Sequence, residues 1–483
     1  MVRFLLNDKD QCLGGVSPHI MVLDFLREHL HHTGTKEGCA SGDCGACTVV
    51  LGEAVDGRMR YRAINACITP AASLHGKQLL TVEHLRRDGK LHAVQQAMVD
   101  CHGSQCGFCT PGFVMSLFAY RKTHEVPERE SVVDALGGNL CRCTGYRPIL
   151  DAAVQMYEPP LTDQFSDREA ETVAALRVLD GRSGSVELEG EGKRFFAPTT
   201  IVELAELLLK YPEARLIAGG TDLSLEFTQF LRETEVLVYT GHVRELLEIR
   251  ETSEGLEIGA AATYSQCQDL LVQYFPGLRE MLARLGSLQI RNQGTIGGNI
   301  GNASPIGDMP PALIALGAEL VLRRGDASRR LPLEDYYIAY KQTVQGESEF
   351  IERIIVPKPD PATIFCVYKI SKRYEDDISA TCAAISVQLL GDRVSAVRVA
   401  FGGMAAVPAR ASHCEAALLG QVWGEDSVRA AMSALGRDFQ PISDFRASAD
   451  YRISVSQNLL WRFYLEATDP AVDVRVTHHA QSA

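Results

Sequence analysis

Cysteines are the residues of this chain whose type and spacing could do chemistry. The 483 residues include 14 cysteines. Cys39, Cys44 and Cys47 follow the pattern C-x4-C-x2-C, and Cys67 is a candidate fourth ligand. This is the plant-type spacing of cysteines that ligate a [2Fe–2S] cluster. The residues between them are small, so backbone N–H groups could approach the sulfurs closely. A structural zinc site is the alternative, although such sites usually use two C-x2–4-C pairs.

A second cysteine set lies further along the chain. Two pairs with the patterns C-x2-C and C-x-C form it: Cys106, Cys109, Cys141 and Cys143. Spacing alone allows either zinc or iron. Each pair precedes a predicted helix that begins near a proline, Pro111 or Pro148, so two helix N-termini would face one centre and favour thiolate. A second metal centre beside the first indicates an electron relay.

The elements that must position these cysteines differ between the two sets. The first 80 residues alternate short apolar runs with glycine-rich turns, which predicts a β-rich domain with a strand at residues 48–51 and a helix at 22–30. From residue 91 to residue 157 the hydrophobic period is helical, and we expect four short helices. Residues 131–134 (SVVD) match a capping box at the start of one of them.

Composition and charge exclude several classes of protein. Hydrophobic residues make up 46% and charged residues 23% of the chain, as in globular proteins with packed cores. The 48 Lys and Arg against 61 Asp and Glu give a net charge of −13, which argues against a nucleic-acid binder. No apolar run approaches the ~18–20 residues that span a bilayer, and the N-terminus lacks a signal-peptide pattern. We therefore expect a cytoplasmic protein whose clustered cysteines bind metal.

Two glycine-rich segments could approach a phosphate. The sequence has no G-x-G-x-x-G, so a Rossmann dinucleotide site is not expected. Instead, a predicted strand runs into Gly219, Gly220, Thr221 and Asp222, and residues 294–299 read GTIGGN. Paired glycines let backbone N–H groups approach an anionic pyrophosphate. The segments could equally be tight turns.

The cysteine segments resemble the iron–sulfur domains of the molybdenum hydroxylases. Residues 103–112 (GSQCGFCTPG) and 138–146 (GNLCRCTGY) resemble the second [2Fe–2S] domain of that family, and residues 34–47 resemble the first. Residues 216–223, 295–308 (TIGGNIGNASPIGD) and 401–404 (FGGM) resemble the FAD domain of its xanthine dehydrogenases. The resemblance runs from residue 4 to about residue 466.

The resemblance implies a multidomain α+β fold. Its parts would be a β-grasp plant-type ferredoxin domain (1–80), a four-helix [2Fe–2S] domain (81–160), a linker with one helix (161–191), a two-part, non-Rossmann α/β FAD-binding domain (192–360), a C-terminal α+β flavoprotein domain (361–470) and a polar tail (471–483).

The resemblance also assigns residues to cofactors. FAD contacts are expected from Leu216, Ile217, Ala218, Gly219, Gly220, Thr221, Asp222, Leu285, Thr295, Ile296, Gly297, Gly298, Asn299, Ser304, Asp308, Ile351 and Lys369. Tyr340 and Asp376 would lie on the NAD side, and Gln105 would contact the pterin of a partner's molybdenum cofactor. The chain departs from the family at Leu285, where members often carry a phenylalanine. Leucine can fill the space beside a flavin, but it cannot stack on the flavin as an aromatic ring does.

The implied function is electron transfer within an NAD-dependent xanthine dehydrogenase. The resemblance is to small subunits, so we expect a separate large molybdopterin-binding subunit and a heterotetramer of two small and two large chains. The hydroxylation site would lie on that partner, and this chain would pass electrons through two [2Fe–2S] clusters to FAD and NAD+. The alternatives are the equivalent subunit of an aldehyde- or N-heterocycle-oxidising hydroxylase, a zinc-stabilised scaffold, and a flavoprotein relay without a molybdenum partner.

Overall fold

A computed structural model describes residues 1–158, 162–181, 184–469 and 474. The chain forms two compact units. The first comprises Met1–Leu247, Thr263–Gln266 and Gly286–Thr295, and the second comprises Glu248–Ala262, Cys267–Leu285 and the described residues from Ile296 on. The predicted polar tail, residues 471–483, lies outside the described residues except for residue 474, as do residues 161, 182 and 183 of the predicted linker.

The first unit begins with a five-stranded sheet. Its strands are β1 (Val2–Leu6), β2 (Lys9–Leu13), β3 (Thr48–Val55), β4 (Arg58–Asn65) and β5 (Gln78–Leu80). Their order is β2-β1-β5-β3-β4, with β1 and β5 parallel and the other neighbours antiparallel. Helical turns lie at Val22–Asp24, Phe25–His29, Ala66–Ile68, Ala71–Leu74 and Val82–Leu85. The helix expected at residues 22–30 packs its apolar side on the same core as β1, and this is the β-grasp arrangement.

Four helices follow the sheet, as predicted. They are Ala93–Asp100, Thr110–Thr123, Arg129–Leu136 and Arg147–Gln155. Pro111 and Pro148 lie in the first turns of two of them, where a missing N–H costs nothing. The apolar sides of the helices share a core with one face of the β-grasp sheet, including Val50 and Phe118.

The predicted capping box at residues 131–134 is wrong. The helix begins earlier, at Arg129, after Glu128 in extended conformation. Ser131 is already inside the helix, where its hydroxyl donates to the Glu128 carbonyl and lies 2.7 Å from the Tyr120 hydroxyl. A tertiary contact therefore uses the serine that the local pattern assigned to a cap.

Much of the segment predicted as a linker is helical and buried. Helices Gln164–Asp167 and Glu169–Gly181 occupy it. Phe165, Val173 and Leu176 belong to the same core as the four helices. Apolar residues spaced along the second helix, between charged ones, anchor this segment to the four helices and the β-grasp sheet.

Asp163 is the centre of a buried ionic cluster in this segment. Its carboxylate lies 2.5 Å from Lys122 Nζ, 3.0 Å from His92 Nε2 and 3.3 Å from Arg121 Nη1. It also accepts hydrogen bonds from backbone N–H groups of the following helix. Burial alone would raise the pKa of Asp163, but the hydrogen bond of His92 and the charge of Lys122 hold it well below its ordinary value.

A second sheet completes the first unit. Its strands are β6 (Val186–Gly190), β7 (Lys193–Ala197), β8 (Arg215–Ile217) and β9 (Val236–Tyr239), in the order β6-β7-β9-β8. The accompanying helices are Ile201–Lys210, Ser224–Thr228, Arg244–Leu247 and Leu288–Arg291. Phe195 and Leu237 of this sheet pack in one core with Phe4 and Ile68 of the β-grasp domain. The two sheets are therefore one folded body.

The second unit contains an antiparallel sheet in the order β10-β11-β16-β12-β13. These strands and the small hairpin β14–β15 are β10 (Ile249–Glu251), β11 (Gly255–Gly259), β12 (Glu319–Arg324), β13 (Ala327–Pro332), β14 (Tyr337–Ala339), β15 (Gln342–Thr343) and β16 (Phe350–Pro357). The helices are Tyr264–Tyr274, which belongs to this unit from Cys267 on, and Pro276–Leu278, Arg279–Ala283, Ile296–Gly301, Met309–Ala315 and Leu333–Asp335.

The same unit ends in a four-stranded sheet with three helices. The strands are β17 (Thr363–Ile370), β18 (Thr381–Leu390), β19 (Arg393–Gly402) and β20 (Ala409–Arg410), in sequential order. The helices are Ser412–Leu418, Glu425–Asp438 and Ala449–Thr468. None of the helices in the described ranges is both long and apolar enough to cross a lipid bilayer.

The Asp163 cluster makes a testable prediction about stability. Asp163→Asn should destabilise the first unit by about 3–5 kcal/mol at neutral pH, because it leaves buried cations without their counter-ion. The depressed pKa means that the carboxylate stabilises the fold above the unfolded-state value of about 4, and that this contribution is lost as the pH falls through the lower folded-state pKa. Urea unfolding followed by circular dichroism should therefore show the difference from wild type shrinking in acid.

The matched control is Asp167→Asn. Asp167 is exposed on the adjacent helix, so its loss should change the unfolding free energy by less than about 0.5 kcal/mol. Equal effects of the two substitutions would contradict the role given to Asp163.

Candidate functional site

A loop and a short helical turn bring the first cysteine set together. Cys39, Cys44 and Cys47 lie on the loop before β3, and Cys67 lies in the turn after β4. The Cys39 thiol is hydrogen-bonded with those of Cys44 and Cys67, and the Cys47 thiol with that of Cys67. Cys47 and Cys67 are buried, whereas the other two are partly exposed. The four sulfurs therefore face one centre.

The loop supplies hydrogen bonds to sulfur. The N–H groups of Ser41 and Cys44 each lie 3.4 Å from Cys39 Sγ. Hydrogen bonds from the Cys44 and Cys67 side chains, and then from Ser41, lower the pKa of Cys39. The pKa of Cys44 is raised because its thiol donates to Cys39. The set is thus built to share negative charge, as thiolate ligation requires.

Glycines keep side chains away from these sulfurs. A Cβ on Gly38 would lie 2.6 Å from Cys44 Sγ. Gly42 and Gly45 have φ values of +84° and +67°, in the left-handed region that favours glycine. Asn65 fixes the loop by donating to the Gly42 carbonyl at 2.7 Å. A loop that offers backbone N–H groups and four thiols, without bulk, fits a [2Fe–2S] cluster.

The second cysteine set lies at the starts of two helices. Cys109 is the N-cap of Thr110–Thr123, and the Cys141 and Cys143 pair precedes Arg147–Gln155. The side chains of Cys109 and Cys141 are hydrogen-bonded, as are those of Cys106 and Cys143. Burial, followed by the hydrogen bond with Cys141, raises the pKa of Cys109 to about 12. The structure thus brings these four cysteines together as well.

Hydrogen bonds to the Cys141 thiol favour its ionised form. Burial opposes ionisation, but hydrogen bonds from the hydroxyl and backbone of Thr144 lower the pKa of Cys141 to about 7. The Thr144 hydroxyl oxygen lies 3.2 Å from Cys141 Sγ. Cys106 and Cys143 are exposed. This set therefore opens to the surface, whereas the first set is largely enclosed.

A backbone hydrogen bond joins the two sets. The N–H of Leu140 donates to the Cys44 carbonyl at 3.0 Å. Because Leu140 directly precedes Cys141, only Leu140 and this hydrogen bond lie between Cys141 of the second set and Cys44 of the first set. Gln105, the expected pterin contact, is exposed next to Cys106. The arrangement offers a short route from the exposed set to the enclosed one.

The first group of expected FAD residues, 216–222, lies in β8 and the turn after it. Ile217 is buried and Asp222 is exposed. Gly220 has a φ of +74°. A Cβ on Gly219 would meet the Gln293 carbonyl oxygen at 1.8 Å. Close packing of two backbones thus already requires glycine at 219, independently of a ligand. Thr295, of the same unit, is buried.

A second group of expected FAD residues lies around the helix Ile296–Gly301. Gly297 packs against Ala260, and a Cβ added at Gly297 would lie 2.5 Å from the Cβ of Ala260. Gly298, in contrast, is exposed. The Asn299 Oδ1 is buried and has no hydrogen-bond partner among the described residues. Buried acceptors are normally satisfied, so this atom fits a donor from a bound group.

The remaining expected FAD residues of the second unit include a buried ion pair. Lys369 Nζ lies 2.5 Å from Asp308 Oδ2, and the Ser379 hydroxyl donates to Asp308 Oδ1 at 2.5 Å. The other expected side chains are buried or half-buried: Leu285, Ser304 and Ile351. Asp308 therefore holds Lys369 in place, which the sequence did not indicate.

The two residues expected on the NAD side lie in turns. Tyr340 follows β14 and is 60% exposed. Asp376 has a φ of +47°. Its neighbour Asp377 accepts hydrogen bonds from the N–H groups of Arg373 and Ile378, at 2.8 and 2.9 Å. These hydrogen bonds of Asp377 hold the turn at residues 373–378 together.

Sequence reasoning missed the polar side chains behind the cysteine loops. Asn139 and Gln289 are fully buried and hydrogen-bonded to each other, at 2.9 Å. Asn139 lies within residues 138–146, which carry the family resemblance, but the sequence predicts no cofactor contact or structural function for it. Gln289 is distant in sequence from both cysteine sets, and no spacing rule connects it to them.

Models of four protein families match consecutive parts of the chain. They are described as "2Fe-2S iron-sulfur cluster binding domain" (residues 5–72), "[2Fe-2S] binding domain" (81–154), "FAD binding domain in molybdopterin dehydrogenase" (189–359) and "CO dehydrogenase flavoprotein C-terminal domain" (366–467). The chain therefore carries two [2Fe–2S]-binding domains and an FAD-binding domain.

Solved structures agree with these models. A chain of carbon monoxide dehydrogenase from Hydrogenophaga pseudoflava is 30% identical, with a TM-score of 0.53, over 56% of this chain and 94% of that one. This chain belongs to the molybdenum hydroxylase family. A chain of quinoline 2-oxidoreductase from Pseudomonas putida 86 is 28% identical, with a TM-score of 0.52, over 56% of this chain and 95% of that one.

Curated relatives of this molybdenum hydroxylase chain include xanthine dehydrogenases. The protein from Emericella nidulans is 32% identical over 96% of this chain, and that from Drosophila pseudoobscura is 34% identical over 83%. The chain spans 38% and 34% of their respective lengths. Across the described residues, no group of three or more His, Cys, Asp or Glu side chains could, as placed, hold a single metal ion. The assignment of iron thus depends on the cysteine spacing, the thiol contacts and the family models.

Gly38 gives a direct test of the first centre. Gly38→Ala places a Cβ against Cys44 Sγ, so we expect the first cluster to be lost and iron to fall from four to two atoms per chain. Iron and acid-labile sulfide analysis, with EPR of the reduced protein, measures this. Gly14→Ala is the control, because a Cβ there meets nothing within 4 Å. Full iron content in Gly38→Ala would contradict the site geometry.

Proposed function

We propose that this chain is the electron-transfer subunit of an NAD-dependent xanthine dehydrogenase. The observation that carries the proposal is the pair of four-thiol groups joined through Leu140 and Cys44, in a chain that aligns over 96% of its length with a xanthine dehydrogenase. The reaction served would be the oxidation of hypoxanthine and xanthine to urate in purine catabolism.

The exposure of the two cysteine sets gives the relay a direction. The second set is open at Cys106 and Cys143, so in this proposal it receives electrons from the partner, with Gln105 contacting the partner's pterin. The first set, enclosed around Cys47 and Cys67, passes them on to FAD. Iron–sulfur clusters carry single electrons, and a flavin converts them to the hydride that NAD+ accepts.

The chain's own residues would hold the flavin and admit NAD+. In the proposal, FAD contacts come from residues 216–222 and 295–299 and from Ser304, Asp308, Ile351 and Lys369. The orphaned Asn299 Oδ1 supports a donor-bearing ligand there. Leu285 packs by the flavin without stacking on it. Tyr340 and Asp376 line the NAD side.

A partner is part of the proposal. The chain spans about two fifths of the length of a xanthine dehydrogenase relative, and we propose that a large molybdopterin-binding subunit carries the hydroxylation site. Two small and two large subunits would form a cytoplasmic heterotetramer. In each small subunit, the two iron–sulfur domains would be residues 1–80 and 81–160. The FAD-binding domain would be residues 192–360 and the C-terminal domain residues 361–470.

A second candidate is the equivalent subunit of another molybdenum hydroxylase. The likeness to chains of carbon monoxide dehydrogenase and quinoline 2-oxidoreductase favours it. Substrate contacts would lie on the partner in either case, so the two candidates differ in what the whole complex oxidises.

The purified native complex decides between these candidates. Given xanthine and NAD+, it should form urate and NADH in equal amounts. Activity with an aldehyde or an N-heterocycle but none with xanthine would favour the second candidate. Zinc without visible absorbance would support a scaffold, and purification without a molybdenum-containing chain would support a free-standing relay. Either result would overturn the proposal.

Cys143→Ser tests the relay within the complex. Loss of one thiolate ligand should remove the second cluster, so xanthine-dependent NAD+ reduction should fall to background. Reduction of an artificial dye by NADH needs only the flavin and should remain. Cys101→Ser is the control, because this thiol bonds Gln155 and belongs to neither set. Unchanged xanthine-dependent NADH formation in Cys143→Ser would contradict the route.

A further inference from the structure

Four buried polar side chains lie between the two cysteine sets. We call them the amide network: Thr48, Ser116, Asn139 and Gln289, each at most 2% exposed. Gln289 Nε2 donates to Asn139 Oδ1 at 2.9 Å and to the Ser116 hydroxyl at 3.2 Å. The Ser116 hydroxyl donates to Asn139 Oδ1 at 2.7 Å. Both acceptor positions of the Asn139 carbonyl oxygen are therefore filled.

The other end of Asn139 binds the first cysteine loop. Its Nδ2 lies 3.0 Å from the Gly45 carbonyl oxygen and 3.2 Å from the Thr48 hydroxyl. The next residue, Leu140, donates its N–H to the Cys44 carbonyl. Two successive residues of the loop that leads to Cys141 thus bind two successive carbonyls of the loop that contains Cys44.

Glycines bring these backbones into direct contact. A Cβ on Gly45 would meet the Gly138 carbonyl oxygen at 2.2 Å, and one on Gly112 would meet the Gly45 carbonyl oxygen at 2.2 Å. A Cβ on Gly138 would lie 2.4 Å from Gln289 Oε1. Because buried amides that lose a partner are costly, the amide network favours one spacing of the two loops.

We propose that Asn139, braced by Gln289, is a positioning residue that sets the separation of the two iron–sulfur centres and hence the rate of electron transfer between them. The inference depends on the proposed relay function. Asn139 touches neither substrate nor flavin in this account. It acts through the loops that carry Cys44 and Cys141.

Gln289→Met removes the brace at nearly constant volume. Ser116→Ala removes one hydrogen bond with the smallest change in shape. In the complete complex, both variants should keep four irons and both EPR signals. The magnetic interaction between the reduced centres should change in Gln289→Met. The rate of electron transfer between the centres, followed by freeze-quench EPR, should fall by about tenfold in this variant. The reason is that misplacing reacting groups by about 1 Å can cost up to about 10²-fold in rate. The effects in Ser116→Ala should be smaller.

Gln78→Met is the matched control. Gln78 is also buried, and its Nε2 donates to the Asn7 carbonyl at 2.7 Å, away from both cysteine loops. This variant should match wild type in magnetic interaction and rate.

Wild-type values in both network variants would overturn the inference. Loss of iron from Gln289→Met with wild-type coupling in Ser116→Ala would also overturn it, because the network would then serve folding alone. Failure of the relay function itself would appear differently, as wild-type protein that lacks two distinct iron–sulfur signals.

Discussion

The convergence of four thiols on one centre, twice in one folded unit, is the constraint on which the rest of the first unit depends. Sulfurs that share negative charge need donors close to them, and only a loop with little side-chain volume can supply backbone N–H groups at that range. Gly38 and the left-handed glycines of the first loop meet this requirement. The β-grasp sheet and the helices then serve to hold two such loops against each other.

The contrast in burial between the two sets gives this constraint a functional meaning. The set at the helix starts is open to solvent at Cys106 and Cys143, and the set beside β3 and β4 is largely enclosed. An electron carrier between two proteins needs one centre near its surface, and a carrier that feeds a flavin needs the other near that flavin. The segment Leu140–Cys141 connects them through covalent bonds and the hydrogen bond from the Leu140 N–H to the Cys44 carbonyl.

Local patterns predicted much of the fold. Helical periodicity and the prolines gave four helices, and the cysteine spacing gave two ligand sets, because both depend on neighbours in sequence. The helix expected in the linker is present at Glu169–Gly181, but its burial was not predicted, since charged residues mask its apolar side. Ser131 was misassigned because Tyr120 competes for its hydroxyl. Gln289 could not be found at all, since its contact with Asn139 joins residues 150 positions apart. Gly219 and Gly297 were attributed to a cofactor, whereas close packing alone already requires them.

A redox titration of the native protein followed by EPR tests the central claim most directly. The account predicts two distinct [2Fe–2S] signals of equal spin count, four irons per chain, and a flavin that reduces in the same titration. A single iron–sulfur signal, or zinc in place of iron in either cysteine set, would contradict it.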